Sequence, residues 1–262
     1  MKKQSILLLA ATLSSILLMA QKPGVKPLSD EDKTALENII VEKYYVATED
    51  DYKDTVGGAL PKGAVTYRIY VDLKPGYHLQ AVFGIPMHEF FLKTTTSFFN
   101  NSMGGAQCGD EIRDGRISDN SVALDSWLTI GAATSTRFGV LKSEDPDSSI
   151  ITGKKGLEKV DGLMKAGQIQ KLLYYNIDLN SFKEGKNSSD FRSDNGSWAI
   201  VGGGKGPTKE NRVLIAQLTT NGKLSFELNL QVGSSSGAVI QYVAKKPEGA
   251  QIKSKLLTYK QK

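Results

Sequence analysis

From Ile39 onward apolar and polar residues alternate with a period of two, the spacing of strands that turn one face to a core. Val65, Tyr67, Ile69 and Val71 interleave with Thr66, Arg68, Tyr70 and Asp72, and Leu224, Phe226, Leu228, Leu230 and Val232 interleave with Ser225, Glu227, Asn229 and Gln231. These are the two clearest strands. Thr219-Thr220-Asn221-Gly222-Lys223 joins the second to the apolar run 213–218, and an Asn-Gly pair between two such runs predicts a tight antiparallel hairpin. Further strands are expected at 39–47, 78–84, 89–98, 122–131, 171–179, 197–202 and 238–244, with a solvated last strand from Ile252 to Tyr259. Ser29-Asp30-Glu31-Asp32 ahead of Lys33 predicts a capped short helix with acids at its positive end. Many short strands without long helices imply an all-β fold, an antiparallel β-sandwich with a jelly roll among the arrangements open to it. Around 143–167, Asp145-Pro146-Asp147 and several glycines interrupt the alternation. That zone reads as a long loop or as a boundary between two parts of one domain, 21–262.

The N-terminus follows a different pattern. Met1-Lys2-Lys3, the apolar run from Ile6 to Leu18, and a small residue at Ala20 have the form of a cleavable signal peptide, residues 1–20. The run is shorter than the ~20 residues a bilayer span requires, so no integral membrane span is expected. Export is, with the extracellular space or cell surface as destination and the periplasm as the alternative. The formal charge of +5 loses Lys2 and Lys3 with the leader and falls to +3. That is too mild to imply a polyanion partner, nucleic acid included. With Cys108 as the single cysteine there is no internal disulfide, so about 240 mature residues must fold on an ordinary apolar core.

Motifs that invite catalytic readings lack their context. Gly233-Ser234-Ser235-Ser236-Gly237 has the spacing of a serine-hydrolase elbow, but a strand-like run follows it and both histidines, His78 and His88, precede it. A hairpin loop is the better reading. Gly202-Gly203-Gly204-Lys205-Gly206-Pro207-Thr208 lacks the phosphate-loop spacing and reads as a β-turn. No catalytic residue is assigned. Among the acidic clusters, Glu144, Asp145 and Asp147 form the best calcium candidate, with solvated turns as the plainer explanation. On a strand at 122–131, Val122, Leu124, Leu128 and Ile130 share one face, leaving Trp127 with Asp125 and Thr129 on the other. An indole placed there is either exposed for stacking on a sugar or covered by a loop. Trp127, Asp125 and Tyr70 are therefore the candidate ligand-binding residues. Trp198, aligned with Ile200, is expected in the core.

The stretches Val41–Val46, Gly63–Asp72 and Leu79–Gly84, continued by Phe98-Phe99-Asn100-Asn101, Leu124-Asp125-Ser126-Trp127 and Asn195-Gly196-Ser197-Trp198, resemble a recurrent β-rich module of secreted Bacteroidota-type proteins. The resemblance implies export and a β fold, and brings no catalytic residues with it. Many such relatives carry a C-terminal sorting domain; this sequence stops at Lys260-Gln261-Lys262, so release or periplasmic residence joins surface attachment as an expectation. The leading functional expectation is a non-catalytic structural or adhesive component, self-associating through an edge strand or holding a surface polysaccharide. A carbohydrate-binding module using an exposed Trp is the alternative, and a glycan-active hydrolase or lyase is less favoured.

Overall fold

The computed structural model describes residues 27–119, 121–147 and 161–262. The leader expected at 1–20 and the centre of the 143–167 interruption lie outside them. Two short helices, α1 (Asp30–Lys33) and α2 (Glu49–Lys53), accompany sixteen strands: β1 Leu36–Val46, β2 Val65–Leu73, β3 His78–Gly84, β4 Phe90–Thr94, β5 Trp127–Leu128, β6 Arg137–Gly139, β7 Leu163–Lys165, β8 Leu173–Tyr175, β9 Asp190–Ser193, β10 Gly196–Gly204, β11 Arg212–Thr220, β12 Leu224–Glu227, β13 Leu230–Gly233, β14 Val239–Val243, β15 Ile252–Lys253 and β16 Thr258–Lys260. At α1 the Ser29 hydroxyl accepts from the Asp32 amide at 3.1 Å while the Asp32 carboxylate accepts from the Ser29 amide at 2.9 Å. This reciprocal cap satisfies two donors the helix start would otherwise leave open.

The strands form a β-sandwich. One layer has the order β1-β2-β11-β5. The facing layer consists of two sheets, β15-β14-β13-β3-β10-β8 and β16-β12-β4-β9, and these are halves of one bent surface. The pairs β3/β4, β9/β10 and β12/β13 are consecutive in sequence and keep the same lateral order across the bend. On the β3/β4 column the bend is a small loop, Ile85 to His88, closed by reciprocal amide–carbonyl bonds of 3.2 and 2.8 Å with Met87 at φ 74°. On the neighbouring column Asn229 staples it: its side-chain amide donates to the carbonyls of His88 (2.8 Å) and Phe83 (3.2 Å), and its side-chain oxygen accepts from Ala244 (3.2 Å). The continuous strand expected at 224–232 is therefore broken at Leu228-Asn229.

The main core fills the space between the layers. Tyr67, Ile69, Val71 and Leu73 of β2 and Val213, Ile215 and Leu218 of β11 meet Phe90, Leu92, Trp198, Phe226 and Leu230 from the bent layer. Trp198 is fully buried, edge-on to Phe90 at 5.2 Å, and donates its indole N–H across the sandwich to the Thr129 carbonyl at 3.2 Å. The opposite face of the first layer is also covered. Tyr44, Tyr70, Trp127 and Leu214 pack there against Phe99, Ile112, Val122 and Leu124 from irregular segments. Hence the polar-looking face of β2 is not a solvent face: Thr66, Arg68 and Tyr70 are each 1% exposed or less. Thr66 and Arg68 are answered by cross-strand partners on β11, with Thr66 hydroxyl to Thr219 at 2.7 Å and Arg68 Nε to Gln217 at 2.9 Å, while the Tyr70 hydroxyl donates to Glu42 on β1 at 3.5 Å.

Three further expectations need correction. The Asn221-Gly222 turn is not a hairpin, because β11 pairs with β2 and β5 whereas β12 pairs with β4 and β16; the chain arches there from one layer to the other. The strand expected over 122–131 shrinks to Trp127–Leu128, since Val122–Leu124 forms a 3-10 turn. Its proposed common face dissolves, with Val122 and Leu124 in the outer cluster and Leu128 and Ile130 in the main core. Finally, Ile252 to Tyr259 is two strands: β15 runs parallel to β14 and β16 antiparallel to β12. Across the 143–167 interruption, β6 pairs with β7.

Candidate functional site

At one end of the sandwich the two glycine-rich segments meet around a histidine. β3 begins at His78; Gly233, the end of β13, lies opposite it, and Gly204, the end of β10, lies opposite Leu79. The ring is seated between the two loops, where a β-carbon on Gly203 or Gly233 would strike the imidazole. Gly203 also holds φ +76°, a conformation side chains disfavour. The His78 Nε2 lies 3.4 Å from the Gln80 side-chain amide, a weak contact. Burial, with the Lys205 charge adding to it, lowers the proton affinity of His78 below that of an ordinary imidazole.

These strand ends border a cleft of about 610 Å³. Its apolar floor comes from Ile130, Ala132, Phe138 and Ile200, and its rim from Gln168, Gln170, Lys205 and Ser235. The serine-rich turn is the hairpin loop expected from sequence: the Ser234 amide donates to the Ala238 carbonyl at 2.9 Å, and the Ser234 hydroxyl accepts from the Ala238 amide at 3.0 Å and contacts the Ser236 hydroxyl at 2.8 Å. Ser234 is thus committed within its turn and is not paired with the imidazole.

The residues singled out from sequence lie elsewhere and are buried. Trp127 is 2% exposed, Asp125 1% and Tyr70 0%, so neither ring offers a face to a sugar. The covering comes from the segment around Ile112, Val122 and Leu124. Asp125 accepts from the amides of Asn101 (2.7 Å) and Ala106 (2.8 Å), tying that segment to β5. Burial nevertheless raises its pKa to about 8. Tyr70 sits beside Arg68, its hydroxyl raised well above the ordinary phenol value by burial.

The three carboxylates proposed for calcium are not gathered into one cage. Glu144 is ion-paired with Arg212 and accepts from the Thr208 hydroxyl at 3.1 Å. Asp145 accepts from the amides of Gly162 (3.0 Å), Leu163 (3.3 Å) and Asp147 (3.2 Å). Among the described residues no group of three or more His, Cys, Asp or Glu side chains could hold a metal ion. Asp145 instead faces Asp161, whose pKa rises to about 8 through burial and the Asp145 contact. Cys108 is a buried free thiol raised to about 12 by burial and by Glu111 and Asp110.

Each glycine run, taken alone in the sequence, reads as a turn, and nothing local to either predicts that they meet. The signal lay in their shared position at strand ends, which becomes a site only once the β3–β10 and β3–β13 registers are known. No helix among the described residues is long and apolar enough to cross a membrane. The chain matches no family model, no curated protein and no solved structure.

Proposed function

We propose that this protein is an exported, non-catalytic β-sandwich that acts as an adhesive component by holding a surface glycan in the cleft around His78. The observation that carries this reading is the cleft's composition. Amide and hydroxyl groups surround an apolar floor, glycines leave the backbone open to close approach, and the volume lies in the range of small-ligand sites. Saccharides match such a lining because each ring has polar edges and an apolar face. Export is supported by the leader pattern at residues 1–20. Trp127 is buried and presents no platform for a sugar, so this cleft is the better-placed surface.

The test is co-sedimentation of residues 21–262 with a panel of insoluble polysaccharides and cell envelopes, beside the variants His78→Ala and Gly203→Val. Retention on at least one glycan, reduced about tenfold or more by either substitution, is expected. Retention on none of them, or retention indifferent to both substitutions, would refute the reading.

A further inference from the structure

The described lining of the cleft is basic. Among the described residues, the ionisable groups that line it are His78 and Lys205, both basic, with no Asp or Glu beside them in the lining. Lys205 forms no ion pair among the described residues, although the neighbouring Lys209 contacts Glu210 at 3.7 Å. An ammonium left without a carboxylate beside a partly enclosed site draws in anions, and here the ligand itself is the available counter-charge. Below the rim, the half-buried Phe138 provides an apolar surface of the kind a pyranose face covers, while Gln168, Gln170 and Ser235 can exchange hydrogen bonds with ring hydroxyls.

We infer that the cleft selects an acidic saccharide, with a carboxylate or sulfate of the ligand meeting Lys205 and its ring lying over Phe138. This rests on the glycan-binding reading above and narrows its ligand class. Lys205 is the charge partner. His78, walled in by Gly203 and Gly233, is a hydrogen-bonding group that adds a second positive charge only when protonated.

The test is calorimetric titration of residues 21–262 with matched oligosaccharides: a uronate-containing chain, a sulfated chain and a neutral chain of the same linkage. It is run on the natural sequence and on Lys205→Gln, Lys205→Arg and the distant control Lys253→Gln. At least one acidic chain should bind about tenfold or more tightly than the neutral one, and that preference should weaken between about 50 and 300 mM salt. Lys205→Gln should bring the ratio to about one, with Lys205→Arg and Lys253→Gln retaining most of it. Lys205 is exposed, so these variants should fold. Equal affinity for acidic and neutral chains, unmoved by Lys205→Gln, would overturn the acidic preference and leave the glycan-binding reading intact. Absence of binding to every chain, together with absence of retention on the polysaccharide panel, would remove the parent reading instead.

Discussion

Arg68 is a guanidinium 1% exposed to water, and a buried charge is tolerated only where its donors are answered. Its Nε donates to Gln217 at 2.9 Å, its Nη1 to the Gly162 carbonyl at 2.8 Å, and its plane lies 3.6 Å from the centre of the Tyr44 ring. The Tyr44 hydroxyl donates in turn to the Asp161 carbonyl, which ties this layer to the neighbouring Asp145–Asp161 pair. Asp161 keeps its proton up to about pH 8, through burial first and the Asp145 contact second, whereas hydrogen bonds hold Asp145 below the usual carboxylate range despite burial. A carboxyl whose folded pKa lies above its unfolded value of 3.8 makes the native state bind the extra proton, so stability falls as pH rises between those values. Asp125, raised to about 8 by burial, contributes in the same direction. The melting temperature should therefore decline between about pH 4 and pH 8. Asp161→Asn keeps an acceptor for the Leu163 amide and offers a donor toward Asp145, so it should flatten part of that decline in a pH series of thermal melts. An unchanged slope in the variant would show that another group titrates.

A bend across a sheet interrupts several ladders at once, and the groups it releases must be satisfied locally. Asn229 meets three of them with one side chain, bonding the Phe83 and His88 carbonyls and the Ala244 amide. Truncation in Asn229→Ala takes the side-chain partner from the Ala244 amide and the Phe83 carbonyl and leaves the His88 carbonyl with the Ile85 amide alone, and should cost about 2–3 kcal/mol in urea unfolding. Asn221 at the arch makes one exposed contact, 3.4 Å from the Lys62 carbonyl, and Asn221→Ala should cost less than about 0.5 kcal/mol. Comparable losses at the two positions would deny the staple its role. Both asparagines stand between apolar runs in the sequence, yet only Asn221 carries a turn signal there. Alternation and Asn-Gly pairs are local features, so the existence of β2, β3, β11 and β14 was legible. Whether a turn closes a hairpin or arches between layers depends on which strands already flank its two arms, here β2 and β5 against β4 and β16. That information is spread across the whole chain. The cleft was hidden for the same reason, being assembled from the ends of β3, β10 and β13.

At the scale of the molecule, the layer β1-β2-β11-β5 lies between the bent layer and a cover of irregular segments. A sandwich sheet ordinarily keeps one wet face, and strands covered on both sides read as continuous apolar runs. β11 obeys that rule over Val213–Leu218. β2 does not, since Thr66, Arg68 and Tyr70 mimic a solvent face while lying under the cover, and this is why Tyr70 looks available from sequence; Trp127 looks so because 122–131 alternates like a strand although only Trp127–Leu128 forms one. The cover's own backbone bonds are those of short 3-10 turns, and side chains such as Asp125 anchor it to the sheet beneath. Opening energy should accordingly be graded from the centre outward. The amides of Ile69, Tyr70 and Val71 on β2, paired with β1 on one side and β11 on the other, can be exposed only by parting both layers, so in native-state hydrogen exchange they should report the global unfolding energy. The three-residue edge strand β8, whose Tyr174 and Tyr175 are exposed, pairs on one side alone and should exchange through small local openings at far lower cost. Exchange at β2 as fast as at β8 would mean that the irregular cover lifts away without unfolding the sandwich, and that the apparent solvent face of β2 is reachable after all.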